Sequence, residues 1–102
     1  TRLKDAKLYR ERPFILNAPA SLVGFNGTDT VLLQGIIDLI AIDGDNAYVI
    51  DYKYSSKKEN ALIETYKKQL DLYAYATEKI LKKKIAGKFI VNIKLGIIVS
   101  VD

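Results

Sequence analysis

Neither cysteine nor histidine occurs among the 102 residues. The first absence excludes a disulfide framework, thiolate zinc or iron–sulfur sites and a cysteine nucleophile within the chain. The second excludes imidazole acid–base chemistry and His-ligated metals unless something outside this chain supplies them. Chemistry must come from carboxylates, lysine, tyrosine, hydroxyls and backbone. Methionine is absent too, and Thr1-Arg2-Leu3-Lys4 leads into no apolar stretch of the signal-peptide kind. The chain therefore reads as a piece cut from a longer protein. The longest apolar run, Gly35-Ile36-Ile37 before Asp38 and Leu39-Ile40-Ala41-Ile42 after it, falls far short of the ~20 residues of a membrane span. No membrane partner is expected, and the implied location is the cytoplasm.

Apolar residues make up 49% of the chain and charged residues 27%, which excludes intrinsic disorder. A chain of this length makes one domain, residues 1–102, burying roughly 65% of its unfolded surface. The net charge of +4 is unevenly shared: residues 1–51 carry five basic and seven acidic groups (−2), residues 52–102 eleven and five (+6). That asymmetry suits a polyanion facing the second half, but charge alone favours a lysine-coated solvated surface.

Leu8 to Leu16 reads as a short edge strand, since Pro13 cannot donate to a ladder. Gly24, Asn26, Gly27 and Asp29 mark a turn. Thr30–Ile42 and Ala47–Tyr54 are β-rich runs joined by Asp43-Gly44-Asp45-Asn46, which predicts an antiparallel hairpin with a loose four-residue connection. From Lys57 the period changes: Leu62, Tyr66, Gln69, Tyr73, Ala76 and Ile80 fall at steps of three and four, with Ile63 and Leu70 widening the stripe. This predicts a helix of about 20 residues ending near Lys84, with cations at its negative end. After Gly87, Phe89 to Val101 is a β-branched stretch interrupted at Gly96. The order is β, β, β, α, β, an α/β fold.

Strand alternation puts Leu32, Gln34, Ile36, Asp38, Ile40 and Ile42 on one face, so Asp38 is expected among isoleucines. A carboxylate there costs several kcal/mol unless paired or metal-bound. In the next strand Asp51 and Lys53 share a face about 7 Å apart along the strand, and antiparallel pairing would bring Asp38 close. Two carboxylates and an ammonium on one face suit divalent-metal hydrolysis of a phosphodiester: the carboxylates hold Mg²⁺ and the lysine orients water or meets the developing charge. An Asp–Lys ion pair on a half-solvated sheet is the competing reading.

Taken together, Gly35-Ile36-Ile37-Asp38, Asp51-Tyr52-Lys53 and Gln69-Leu70-Asp71-Leu72-Tyr73, in that order, resemble the G-x-x-D, D-Y-K and Q-x-x-x-Y patterns of the RecB/AddA nuclease domains, a branch of the PD-(D/E)XK superfamily. Glu11-Arg12-Pro13-Phe14 is similar to an upstream E-x-P-F stretch of the AddA type. The resemblance runs over about residues 8 to 101. It implies a restriction-endonuclease-like core, αβββαβ, of which βββαβ is present here and the first helix, with its histidine, is missing.

The resemblance further implies Asp38, Asp51 and the Tyr52 carbonyl as metal ligands for Mg²⁺, with Mn²⁺ as a substitute. Lys53 becomes the catalytic lysine, with Gln69 and Tyr73 supporting the site or the DNA; a core stripe with one tolerated glutamine is the alternative for that pair. Glu11 matches with a structural role. The implied protein is the C-terminal nuclease domain of an AddA-like helicase–nuclease, an exonuclease in double-strand break end resection, associated with the bacterial nucleoid and working beside a second subunit. A stand-alone, phage or CRISPR-adaptation exonuclease and an inactive DNA-binding scaffold are the alternatives. Lys57, Lys58, Lys67 and Lys68 are candidate contacts to DNA phosphates, and exposed lysines without a role the competing reading.

Overall fold

The computed structural model describes residues 6–24 and 27–102. Five strands form one sheet in sequence order: β1 (Lys7–Pro19), β2 (Thr30–Asp43), β3 (Asn46–Lys53), β4 (Lys84–Asn92) and β5 (Ile97–Ser100). One helix, α1 (Glu59–Leu81), connects β3 to β4, and these two strands are the parallel pair. All other pairings are antiparallel. The expected β, β, β, α, β order is present, with one strand more, because Gly96 turns the last stretch back into a β4–β5 hairpin. Among the described residues no helix is long and apolar enough to cross a membrane.

β1 is an edge strand, as Pro13 requires, and it is longer than expected. The 3₁₀ turn Ala20–Val23, closed by Gly24 in the left-handed region, follows it; Asn26 lies outside the described residues. The β2–β3 connection is tighter than predicted. Asp43 pairs with Asn46, leaving a two-residue turn of Gly44 and Asp45, and Gly44 supplies the positive φ that such a turn needs.

α1 starts at Glu59 without a side-chain cap and ends when Lys82 enters the left-handed region, donating its N–H to the Glu78 carbonyl. The next strand begins at Lys84, before Gly87. The helix buries Leu62, Leu70, Ala74, Ala76 and Thr77, with Tyr66 and Tyr73 packed against the same core. Ile80, expected on this stripe, is 49% exposed. The apolar stripe drifts around a straight helix, so the last turn buries Thr77 instead. Opposite α1 stand Ile37, Ile40, Val49, Ile90, Val99 and Val101. Leu39, Ala41, Tyr48 and Ile50 pack together on the other sheet face.

The strict alternation expected for β2 does not hold. Gly35 faces the Phe14 and Tyr73 rings and Ile37 joins the helix-side core, but so do Ile40 and Ile42, so the inward-facing set changes parity beside Asp38. Its partner changes too: Tyr9 and Phe14 both reach the helix side, and between them Glu11 adopts a left-handed φ of 50°. The β1–β2 register keeps the same offset on both sides of this point, although Glu11 and Asp38 are not themselves paired. Both strands turn over together, so Asp38 lies at the joint and is half-buried, not enclosed among isoleucines, and Ile36 is 56% exposed.

Asn92 is fully buried at the end of β4 and ties down the segment that follows β3. Its amide donates to the carbonyls of Ser55 (2.9 Å) and Lys57 (3.1 Å), and its oxygen accepts the Ser55 N–H at 3.2 Å. Asn92→Ala removes all three partners. It should lower stability by roughly 2–4 kcal/mol in a denaturant titration, and the Ser55 amide should lose its protection in hydrogen exchange.

Candidate active site

β2 and β3 stay paired only from Asp43↔Asn46 to Leu39↔Ile50. Beyond that point β2 continues along β1, while β3 continues along β4 as far as Lys53↔Asn92. A wedge opens between them, with Asp38 on one lip and Asp51 on the other. Asp38 Oδ2 accepts the Tyr52 N–H at 2.9 Å, taking a backbone donor for which β2 no longer offers a carbonyl. The Lys53 carbonyl turns the opposite way and accepts the Ile93 N–H at 2.8 Å. By strand alternation the Tyr52 carbonyl faces the wedge together with its N–H.

Asp51 is 3% exposed. Its Oδ2 lies 2.9 Å from Lys53 Nζ, at ion-pair distance, yet no hydrogen-bond donor is aligned on that buried oxygen. Burial first, and then the Asp38 carboxyl beside it, push the Asp51 carboxyl up to about 6, against the opposing pull of Lys53. Lys53 Nζ also donates to Gln69 Oε1 at 2.9 Å and stands 4.5 Å from the centre of the Tyr66 ring. Gln69 in turn donates from Nε2 to the Tyr73 hydroxyl at 3.1 Å. Burial, reinforced by the Asp51 charge, raises the Tyr73 pKa above its ordinary value, so this hydroxyl remains a neutral phenol. The Tyr73 ring meets Phe14 edge-on, with centroids 5.8 Å apart at 77°.

The predicted residues Asp38, Asp51, Lys53, Gln69 and Tyr73 therefore converge on one wedge. The lysines are dispersed. Lys57 and Lys58 are exposed on the segment leading from β3 into α1, and Lys68 is exposed on α1. Lys67 is engaged by Asp71 at 3.0 Å and by the Asp102 carbonyl. Asp71 also holds Lys88, at 2.7 Å; burial pushes the Asp71 carboxyl up, but its two lysine hydrogen bonds prevail and hold it below its usual value. Sequence reasoning missed Asn92 and the Tyr66–Lys53 contact. A polar residue inside the Phe89–Val101 run marked the first, and the position of Tyr66 one turn before Gln69 marked the second.

To a cation the wedge offers oxygen donors: two carboxylates, one of them buried and in ion-pair contact with Lys53, and a backbone carbonyl. This set fits a hard divalent cation that completes its shell with water. Among the described residues no cluster of three or more Asp, Glu, His or Cys side chains is present.

The family model described as the PD-(D/E)XK nuclease superfamily matches residues 2–99. Bacterial proteins named as ATP-dependent helicase/nuclease subunits are similar to this chain. The one from Ligilactobacillus salivarius is 41% identical over 97 residues, covering 88% of this chain. Those from Desulforamulus reducens and Clostridium perfringens are 34% identical over 105 residues and 36% over 98, covering 97% and 87% of it. The chain spans 8% of the length of each of these relatives.

An acid whose pKa is higher folded than unfolded favours the native state only while it is protonated. The contribution of Asp51 is complete below its ordinary 3.8 and is lost as the pH rises through about 6. Thermal melts of the metal-free chain should fall across that window, and in Asp51→Asn this part of the fall should vanish.

Proposed function

This chain belongs to the PD-(D/E)XK nuclease superfamily, and we propose that it hydrolyses DNA phosphodiester bonds at the wedge between β2 and β3. The observation that carries this reading is the meeting there of Asp38, Asp51 and Lys53, with Gln69 braced behind the lysine. Asp38, Asp51 and the Tyr52 carbonyl would hold Mg²⁺, with Mn²⁺ as a substitute. When bound, the ion supplies Lewis-acid polarisation of a phosphoryl oxygen and activation of water.

The remaining work falls to the chain. Lys53 is fixed by Gln69 at the mouth of the wedge, where its ammonium orients the attacking water or meets the negative charge that develops on the phosphate. Tyr73, a neutral phenol, holds the Gln69 amide so that its oxygen points at Lys53. Lys57, Lys58 and Lys68 contact backbone phosphates without reading sequence. Lys67, paired with Asp71, adds to the positive field more than to direct contact.

The relatives' names couple a nuclease to an ATP-dependent helicase. We place this chain as the exonuclease part of such a machine, acting in the cytoplasm on nucleoid DNA in double-strand break end resection and recombinational repair, beside a second subunit.

A calorimetric Mn²⁺ titration of the chain and of Asp51→Ala, paired with Mg²⁺-dependent cleavage of end-labelled DNA, tests this reading. Saturable binding is expected in the chain and not in Asp51→Ala. Lys53→Ala should keep the ion and cleave at least about 100-fold more slowly. Binding without cleavage would favour the DNA-binding scaffold, and no binding at all would overturn the metal site.

A further inference from the structure

Lys53 meets a third neighbour that the D-Y-K and Q-x-x-x-Y patterns do not contain. Its ammonium lies 4.5 Å from the centroid of the Tyr66 ring, close enough for the face of the ring to attract it. Tyr66 is half-buried and packed against the helix-side core, one turn after the fully buried Leu62 and one turn before Gln69. Packing of α1 therefore fixes the ring independently of Lys53. The three contacts divide by origin: Asp51 pulls on the ammonium from its own strand, and Gln69 and Tyr66 pull from the helix.

We propose that Tyr66 is a positioning residue for Lys53, its ring face fixing, together with Gln69, where the ammonium sits while it contacts Asp51 at 2.9 Å; this deepens, and rests on, the nuclease reading above. A ring face suits the task because it attracts a cation through its quadrupole without adding another formal charge or a directional acceptor. With Gln69 alone on the helix side, the ammonium could swing about a single hydrogen bond. Two helix anchors, one directional and one not, define a position. No hydrogen bond links the Tyr66 hydroxyl to Lys53; the contact belongs to the ring.

The test compares Tyr66→Phe with Tyr66→Leu, both checked for native melting behaviour. Tyr66→Phe keeps the ring and should cleave end-labelled DNA within about 2-fold of the parent chain. Tyr66→Leu should lower kcat by about 5- to 30-fold, the factor one such contact is worth, while KM for DNA stays within about 2-fold. A second readout needs neither metal nor turnover. The ε-methylene NMR signals of Lys53, identified by their loss in Lys53→Arg, should show a ring-current displacement in the parent and in Tyr66→Phe that disappears in Tyr66→Leu.

An unchanged kcat in folded Tyr66→Leu overturns the proposal, as does a Lys53 signal that does not move. Equal damage in Tyr66→Phe and Tyr66→Leu assigns the effect to the hydroxyl and overturns it too. A parent chain that cleaves no DNA overturns the nuclease reading instead, and the NMR comparison then decides the positioning alone.

Discussion

Two hydrogen-bonded strands part company only if something else takes the backbone groups they abandon. Here the Asp38 carboxylate does so for β3, accepting the Tyr52 N–H just past the last β2–β3 pair. A carboxylate suits this better than an amide would, because a charge-assisted bond to backbone N–H is roughly twice as strong as a neutral one. The same exchange presents the Tyr52 carbonyl to the wedge and sets two acidic side chains on its opposite lips. One side chain thus both ends the sheet pairing and furnishes half of the acidic pair.

Behind the wedge, residues far apart in sequence support one another in a line. Gly35 has no side chain, and a Cβ there would come within 3.1 Å of the Phe14 ring and 3.6 Å of the Tyr73 ring. Phe14 fills that space and meets Tyr73 edge-on, Tyr73 receives the Gln69 amide, and Gln69 receives Lys53. The glycine of G-x-x-D, the phenylalanine of the upstream stretch and the tyrosine of Q-x-x-x-Y are therefore packed into one support for the lysine of D-Y-K. Their spacing follows from ring size and helical pitch as much as from chemistry.

The hairpin and the helix were legible in the sequence because each depends on a local period, two in one case and 3.6 in the other. Asp51 and Lys53 on one face were legible for the same reason, and the expected antiparallel pairing brought Asp38 toward them. What escaped was the turnover of β1 and β2 beside Glu11 and Asp38, where period-two reasoning put Asp38 in line with Ile36 and Ile40. A parity change that leaves the register intact has no signature in hydrophobicity, and Glu11 is not a residue that advertises a positive φ. The two-residue turn escaped because Asp43 and Asn46 are typical turn residues that here belong to the strands. Thr77 is buried in place of Ile80 near the end of α1 because steps of three and four do not track the drift of the buried face around a long helix.

Two of the contacts inside the wedge close short loops. Tyr52 and Asp38 are 14 positions apart, and Lys53 and Gln69 are 16. By contrast, the Asn92 clamp on Ser55 spans 37 and the Lys67 contact to Asp102 spans 35. Closing a loop costs entropy that grows with its length, so the chain can assemble the acidic pair and its lysine before the far strands are in place. The rigidity of that centre rests on β1 and β4, whose contacts to it close longer loops than its own.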